Sequence, residues 1–242
     1  MGTLCTNCPL RRLEIFNSMS EQDVRAMDRF KVGELTVESG TPILLEGSNS
    51  LQLFTVLRGM GIRYKITRDG RRQVLNFVFP GDLIGLQGSL MKEMSHSIEA
   101  RSKMTLCVFN RTDLFNFIHE HPQRGYDVTW MAAMQEHFLG EALTSVGQRS
   151  ALQAVAWAIL RLFERAQALE MTDEHTMRLP IRQQDLADAL GLSLVHTNKT
   201  LGKLRERQLV GWSDGKITIP DPEKLANVAG IASEPKRQRP LM

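Results

Sequence analysis

Gln183-Gln-Asp-Leu-Ala-Asp-Ala-Leu-Gly-Leu-Ser-Leu-Val-His-Thr-Asn-Lys-Thr-Leu-Gly-Lys-Leu-Arg-Glu-Arg-Gln208 decides the fold. It reads as two helices joined by a tight turn. Leu186, Ala187 and Leu190 give the first helix an apolar face. Gly191 ends that helix, because glycine takes up the left-handed conformation a C-cap requires. Ser193 is placed to accept a hydrogen bond from the free N–H groups that open the second helix. Leu194, Thr197, Leu201 and Leu204 then recur at helical spacing. At ~100° per residue, Lys199 falls nearly opposite this stripe, with Val195, His196, Gly202 and Lys203 around it and Asn198 at the margin. Cations, an amide, an imidazole and a small apolar group are the side chains that read base edges and phosphates in a major groove.

Immediately downstream, Leu209–Trp212 and Lys216–Ile219 flank Ser213-Asp214-Gly215. Asp-Gly between short apolar runs is a hairpin signal. A helix pair followed by a small hairpin is a winged helix-turn-helix.

The 242 residues suffice for one large or two ordinary domains, and 42% apolar content suits a globular chain. A net charge of +3 permits nucleic-acid binding without requiring it. No apolar run reaches the ~18 residues of a membrane span, and Met-Gly-Thr-Leu-Cys lacks a signal-peptide pattern, so a cytoplasmic location is expected. Three cysteines in such a chain point away from structural disulfides, and Cys5 and Cys8 form a Cys-x-x-Cys pair suited to metal or redox chemistry. The six histidines form no metal-ligand spacing such as His-Glu-x-x-His, and neither Gly-x-Ser-x-Gly nor a phosphate loop occurs. The chain is therefore read as a non-enzyme, with no catalytic residues.

An α+β organisation in five parts follows. Residues 1–30 carry the paired cysteines and a short helix capped by Ser18 or Ser20, with Val24, Met27 and Phe30 inward. Residues 31–121 hold half of the 18 glycines, punctuating short runs at Thr41–Leu45, Leu51–Leu57, Gly61–Thr67, Gln73–Phe79 and Met104–Asn110, which suggests a small sandwich or barrel. Residues 122–146 read as a helix about 30 Å long whose apolar positions cover more than one face. Met131, Met134, Phe138 and Leu139 are the residues expected to meet a second copy of the chain. Residues 147–220 hold a hinge at Gly147–Ser150, a helix over Ala151–Leu169, and the winged helix-turn-helix. Residues 221–242 read as a frayed tail whose Lys236, Arg237 and Arg239 touch DNA backbone weakly.

This order of parts resembles the Crp/Fnr family of transcription regulators over nearly the whole chain. The resemblance rests on Gly81-Asp82-Leu-Ile-Gly85, on Asp185–Ser193, on Val195-His-Thr-Asn-Lys199 and on Leu201-Gly-Lys-Leu204. It implies a cyclic-nucleotide-binding-like β-roll, a dimerisation helix, and a homodimer on a palindromic operator, with double-stranded DNA and RNA polymerase as partners. Carried over by position, Val195, His196, Asn198 and Lys199 are the base readers, and Ser193, Lys203 and Arg205 the phosphate contacts. Family members that bind cyclic AMP have a Glu for the ribose and Arg-Ser or Arg-Thr for the phosphate. Leu86 and His96-Ser97 stand there in this chain, so cyclic AMP is not expected as an effector.

The resemblance is closest to the oxygen-sensing branch, whose members hold a [4Fe–4S] cluster on three N-terminal cysteines and one in the β-roll. Cys5, Cys8 and Cys107 match three of those positions, and Glu14 occupies the remaining one. Thiolates are the usual cluster ligands, and a carboxylate is a poorer donor. Three readings stay open: a labile cluster with Glu14 as doubtful fourth ligand; zinc or a redox disulfide; or idle thiols, with Cys107 in the core and Cys5 and Cys8 in a mobile N-terminus. The signal at the N-terminal domain is accordingly redox, oxygen or a small molecule. The alternative is a regulator of the same family without a cluster, sensing another ligand or binding DNA constitutively.

Overall fold

The computed structural model describes residues 2–232 and 237–242, so Lys236 lies outside the described residues. The chain forms two compact units. One gathers the chain up to Lys65 with Phe77–Glu136 and Arg237–Met242; the other gathers Ile66–Asn76 with the chain from His137 onward.

In the first unit the N-terminal segment makes two short 3-10 turns, Cys5–Asn7 and Pro9–Arg12. Helix α1 (Glu21–Phe30) follows, capped by Ser20, whose hydroxyl accepts the Asp23 N–H. Strands β1 (Lys31–Val37), β2 (Pro42–Leu44), β3 (Gln52–Arg58), β4 (Gly61–Ile66), β5 (Arg72–Val78) and β6 (Leu83–Ile84) come next, with Ile66 at the end of β4 and Arg72–Asn76 of β5 counted in the second unit. Helix α2 (Leu86–Met91), strands β7 (Ser97–Ala100) and β8 (Met104–Asn110), and helix α3 (Leu114–Glu120) complete the unit with the first half of helix α4 (Pro122–Gln148). Pro122 opens α4 at the position where a missing N–H costs nothing.

The strands form two four-stranded sheets, β1-β8-β3-β6 and β2-β7-β4-β5. Strand β3 is buried on both faces, from Leu53 to Leu57, because it lies between two cores. Phe54 and Val56 join Ile84, Ile98, Met104 and Leu106 in the core between the sheets. Leu53 joins the helical core, where Phe30 stacks on Phe109 at 4.9 Å and on Phe117 at 4.2 Å.

Met131 belongs to this helical core and is 5% exposed, so its side chain is already spent within the chain. The expectation that it faces a second copy is corrected by this packing. The apolar positions of α4 serve two surfaces, and the inner one claims Met131.

The second unit continues α4 and adds helix α5 (Ala151–Ala168), strands β9 (Thr172–Asp173) and β10 (Thr176–Arg178), helices α6 (Gln183–Leu190) and α7 (Leu194–Glu206), strands β11 (Gly211–Ser213) and β12 (Lys216–Thr218), and helix α8 (Pro222–Ala229). The break between α4 and α5 falls at Arg149-Ser150, where Ser150 and Gln153 form a capping box. Ala154, Val155, Ile159, Leu162, Phe163 and Ala166 make α5 the central strut, buried along most of its length. Phe138 is half-buried and lies 6.1 Å from the Trp157 ring, so it too has found a partner within the chain. Asp214 and Gly215 both have positive φ, 51° and 68°, as a two-residue hairpin turn demands. The wing does not stand alone, since its strands extend into a sheet of order β11-β12-β10-β9.

The end of the chain differs most from expectation. Pro222–Ala229 is a helix N-capped by Asp221, not a frayed segment. Arg239, Pro240, Leu241 and Met242 are buried in the first unit. Arg239 is therefore withdrawn from any role on DNA backbone.

Candidate nucleic-acid interface and thiol cavity

The α6–turn–α7 element is held by local bonds that its sequence dictates. The Arg182 N–H donates to Asp185 Oδ2 at 2.9 Å at the start of α6. Gly191 takes φ 66° at its end. The Ser193 hydroxyl accepts the His196 N–H at 3.1 Å and opens α7. Thr197, Thr200, Leu201 and Leu204 turn inward, with Thr200 Oγ1 donating to the His196 carbonyl at 2.8 Å. The opposite face carries Ser193, Val195, His196, Asn198, Lys199, Lys203 and Arg205, all exposed. Val195 is 79% exposed, an unusual setting for an aliphatic side chain at the centre of a polar face.

Leu194, expected on the inner stripe, is 38% exposed instead. It lines an open groove with Arg182, Gln184, Asn198 and Trp212, at the start of α7 and beside the wing. The exposed Arg182 is a cation that sequence reading missed, because it precedes α6 and belongs to no periodic pattern.

Within this unit, Arg72 is anchored on α6. Its Nη2 lies 2.6 Å from Asp185 Oδ1 and its Nε 2.7 Å from Asp188 Oδ2. Gln73 Nε2 donates to the Ala189 carbonyl at 3.2 Å. The Asp185 side chain is fully buried, so the guanidinium fork compensates a carboxylate removed from water.

In the first unit, Cys107 on β8 sits opposite Glu34 on β1 and Thr55 on β3. Cys5, Cys8 and Cys107 line one apolar cavity of about 30 Å³, together with Met19, Met27 and Met242. The topology thus brings the three thiols together, and the N-terminal segment that carries two of them is ordered. The Cys5 N–H donates to Asp28 Oδ1 at 2.7 Å, and Lys31 Nζ ties Thr3 and Glu34 into the same corner. The reading of a mobile N-terminus is corrected by these bonds.

Burial pushes the Cys5 thiol up to about 12, helped by the Asp28 carboxylate. Burial pushes Cys107 up to about 11, against the opposing pull of the Lys31 ammonium. Both are held as thiols at neutral pH, and a thiol is a far poorer nucleophile than a thiolate.

The donor set does not fit a [4Fe–4S] cluster. Three cysteines stand where four are usual. Glu14 is exposed and absent from the cavity lining, and its carbonyl accepts from Gln238 Nε2 at 3.0 Å. The cavity offers room for about one water. Among the described residues, no group of three or more His, Cys, Asp or Glu can hold a metal ion.

The cyclic-nucleotide positions are equally unsuited to a phosphate. His96 is 6% exposed, and its pKa is pushed down to about 4 by burial and by Arg63, with a smaller push from Lys65 against the pull of Glu46. A neutral imidazole supplies no cation. Ser97 Oγ is engaged by the Glu46 N–H at 3.0 Å.

The His96 shift has a pH consequence. Its folded pKa lies below the unfolded 6.5, so between pH 6.5 and about 4 the unfolded chain binds more protons. The stabilisation is complete above pH 6.5 and is lost as pH falls. We expect His96 to remove about 2 kcal/mol of stability between pH 7 and pH 5. Denaturant melts at the two pH values should show a smaller difference for His96→Gln; an equal difference would place the titration elsewhere.

Comparisons with known proteins agree with this architecture. Residues 34–121 match the cyclic nucleotide-binding domain family, and residues 153–228 match the Crp-like helix-turn-helix domain family. The nitrogen fixation regulation protein FixK of Rhizobium meliloti is 30% identical over 194 residues, covering 80% of this chain and 85% of that protein. FixK of Bradyrhizobium diazoefficiens is 28% identical over 94% of both chains. The transcriptional activator protein FnrL of Cereibacter sphaeroides is 21% identical over 95% of this chain and 93% of its own. The FixK2 structure from Bradyrhizobium japonicum shares the fold, with a TM-score of 0.74 at 23% identity over 84% of this chain and 98% of that one. No helix among the described residues is long and apolar enough to cross a membrane. The chain belongs to the Crp/Fnr family of DNA-binding transcription regulators.

Proposed function

We propose that this chain acts as a homodimer that inserts the exposed face of α7 into the major grooves of two half-sites, about one helical turn apart on a palindromic operator. The observation that carries this reading is the division of α7. Thr197, Leu201 and Leu204 are spent on the core, while Val195, His196, Asn198 and Lys199 are left with their side chains in solvent. The outer stripe of α4 supports pairing of two copies. Leu139, Leu143 and Val146 are 48%, 73% and 47% exposed and spaced by four and three residues, whereas the half-buried Met134 lies on another face of the helix, about 140° round from Leu139 at ~100° per residue. Leu139 therefore stays in the proposed dimer contact and Leu143 and Val146 join it, while Met134 does not share that stripe.

In this reading Val195 touches a thymine methyl and Lys199 a base edge, while Ser193, Lys203 and Arg205 hold phosphates. A signal at the β-roll biases the two states of the dimer by ~1–3 kcal/mol. RNA polymerase is the partner through which bound protein acts on transcription in a cytoplasmic setting.

The test is operator selection from random duplexes, followed by titration of Lys199→Ala. We expect that variant to lose ~1–3 kcal/mol on the selected operator and to relax preference at one base pair of each half-site. Equal weakening on operator and random DNA would make Lys199 a phosphate contact. Failure to enrich any sequence would remove the reading.

A further inference from the structure

The last six residues, Arg237–Met242, pack into the first unit alongside the N-terminal segment. The Arg239 N–H donates to the Ile15 carbonyl at 2.8 Å, and the Asn17 N–H donates to the Arg239 carbonyl at 2.8 Å, so the two segments pair as a short parallel bridge. Both Nη atoms of Arg239 lie 3.1 Å from Asp82 Oδ1, and Nη2 also donates to the Gly81 carbonyl at 3.3 Å. The guanidinium sits 5.8 Å from the Phe16 ring. Arg239 is 8% exposed and Asp82 3%, so this pair lies away from water, where only multiple bonds offset the loss of hydration. The other Asp82 oxygen accepts the Phe79 N–H at 2.9 Å. Beyond the arginine, Leu241 and Met242 are each 5% exposed and form part of the wall of the cavity that holds Cys5, Cys8 and Cys107.

A buried cation on a carboxylate, flanked by two apolar side chains filling a pocket, is the pattern of a bound peptide's anchor residues. We propose that Arg237–Met242 is an intramolecular peptide ligand of the first unit, and that its docking gates access of thiol-reactive small molecules to Cys5, Cys8 and Cys107. The gate opens when the segment undocks, a local event that leaves the sheets intact. The apolar wall and the Asp82 carboxylate define what competes with it: a short peptide with one arginine and a following pair of aliphatic side chains.

The experiment measures the rate at which an aromatic disulfide labels the thiols. Each cysteine that reacts attacks the probe as a thiolate, forms a mixed disulfide and releases one aromatic thiolate, which is counted by its absorbance. We expect full-length protein to react slowly. Arg239→Ala, Leu241→Ser/Met242→Ser, and a chain lacking residues 237–242 should each react roughly tenfold faster or more. Adding a synthetic peptide of residues 237–242 to the shortened chain should slow labelling again, and the same peptide with Arg239→Ala should not. Peptide protection separates undocking from loss of fold, because an unfolded chain gains none. The proposal is overturned by equal labelling rates in the full and shortened chains, or by fast labelling that the peptide leaves unchanged.

Discussion

Arg72→Ala is expected to lower the stability of the second unit by about 3 kcal/mol, the lower end for removing one partner of a buried ion pair. The Arg72 side chain is 25% exposed, which keeps the figure from being larger, but Asp185 is fully buried and Asp188 only 14% exposed. Alanine removes the fork and leaves the Asp185 charge with less compensation in a setting of low dielectric. Arg72→Lys should recover less than half of the loss, because one ammonium cannot span two carboxylates along two bond directions. Urea melts of the single variants and of Arg72→Ala/Asp185→Asn make the measurement. The double variant should be more stable than the sum of the two losses predicts, since contacting residues do not act independently. Strict additivity would show that the fork contributes nothing.

The second large effect concerns salt. Lys203→Ala/Arg205→Ala removes two phosphate-contacting cations per chain in the proposed complex, and thus four from the dimer. The slope of log affinity against log salt should become shallower by about 3 to 4. Between 50 and 200 mM salt the parent protein should therefore lose about a hundredfold more affinity than the variant. Preference among operator sequences should stay as it was, because phosphates carry no sequence information. An unchanged slope with altered preference would reassign both residues to base edges.

The elements most legible in the sequence were those whose causes are local. The turn at Gly191, the cap at Ser193 and the Asp214-Gly215 hairpin each follow from residues a few positions apart, and the structure contains all three. The β-roll was legible as a class, but β1, β6 and β7 were missed. Strand β1 begins at Lys31, directly after α1 ends at Phe30, with no turn residue between, and its register shifts between Lys31 and Gly33. On α4 the apolar pattern was read correctly as two-sided. Periodicity cannot say which side an individual residue serves, and Met131 and Phe138 went to partners within the chain.

Least legible were the pairings across long separations. Arg72 meets Asp185 113 positions away, and Arg239 meets Asp82 157 positions away. A lone arginine in a polar, proline-containing tail carries no local mark of a buried partner, so composition favoured a frayed end. The cysteines fall between these cases. The resemblance to the oxygen-sensing branch implied that the three gather, as they do, but the burial that keeps Cys5 and Cys107 protonated depends on the packing around them.

The return of Arg237–Met242 to the first unit bears on how the polypeptide matures during synthesis. A ribosome delivers the N-terminal residues first, and domains ordinarily fold in that order. Here the helical core that contains Leu53 and Phe109 also contains Met242, and the Asp82 carboxylate waits for Arg239. The residues of that core thus reach their final packing only after Arg237–Met242 has been translated.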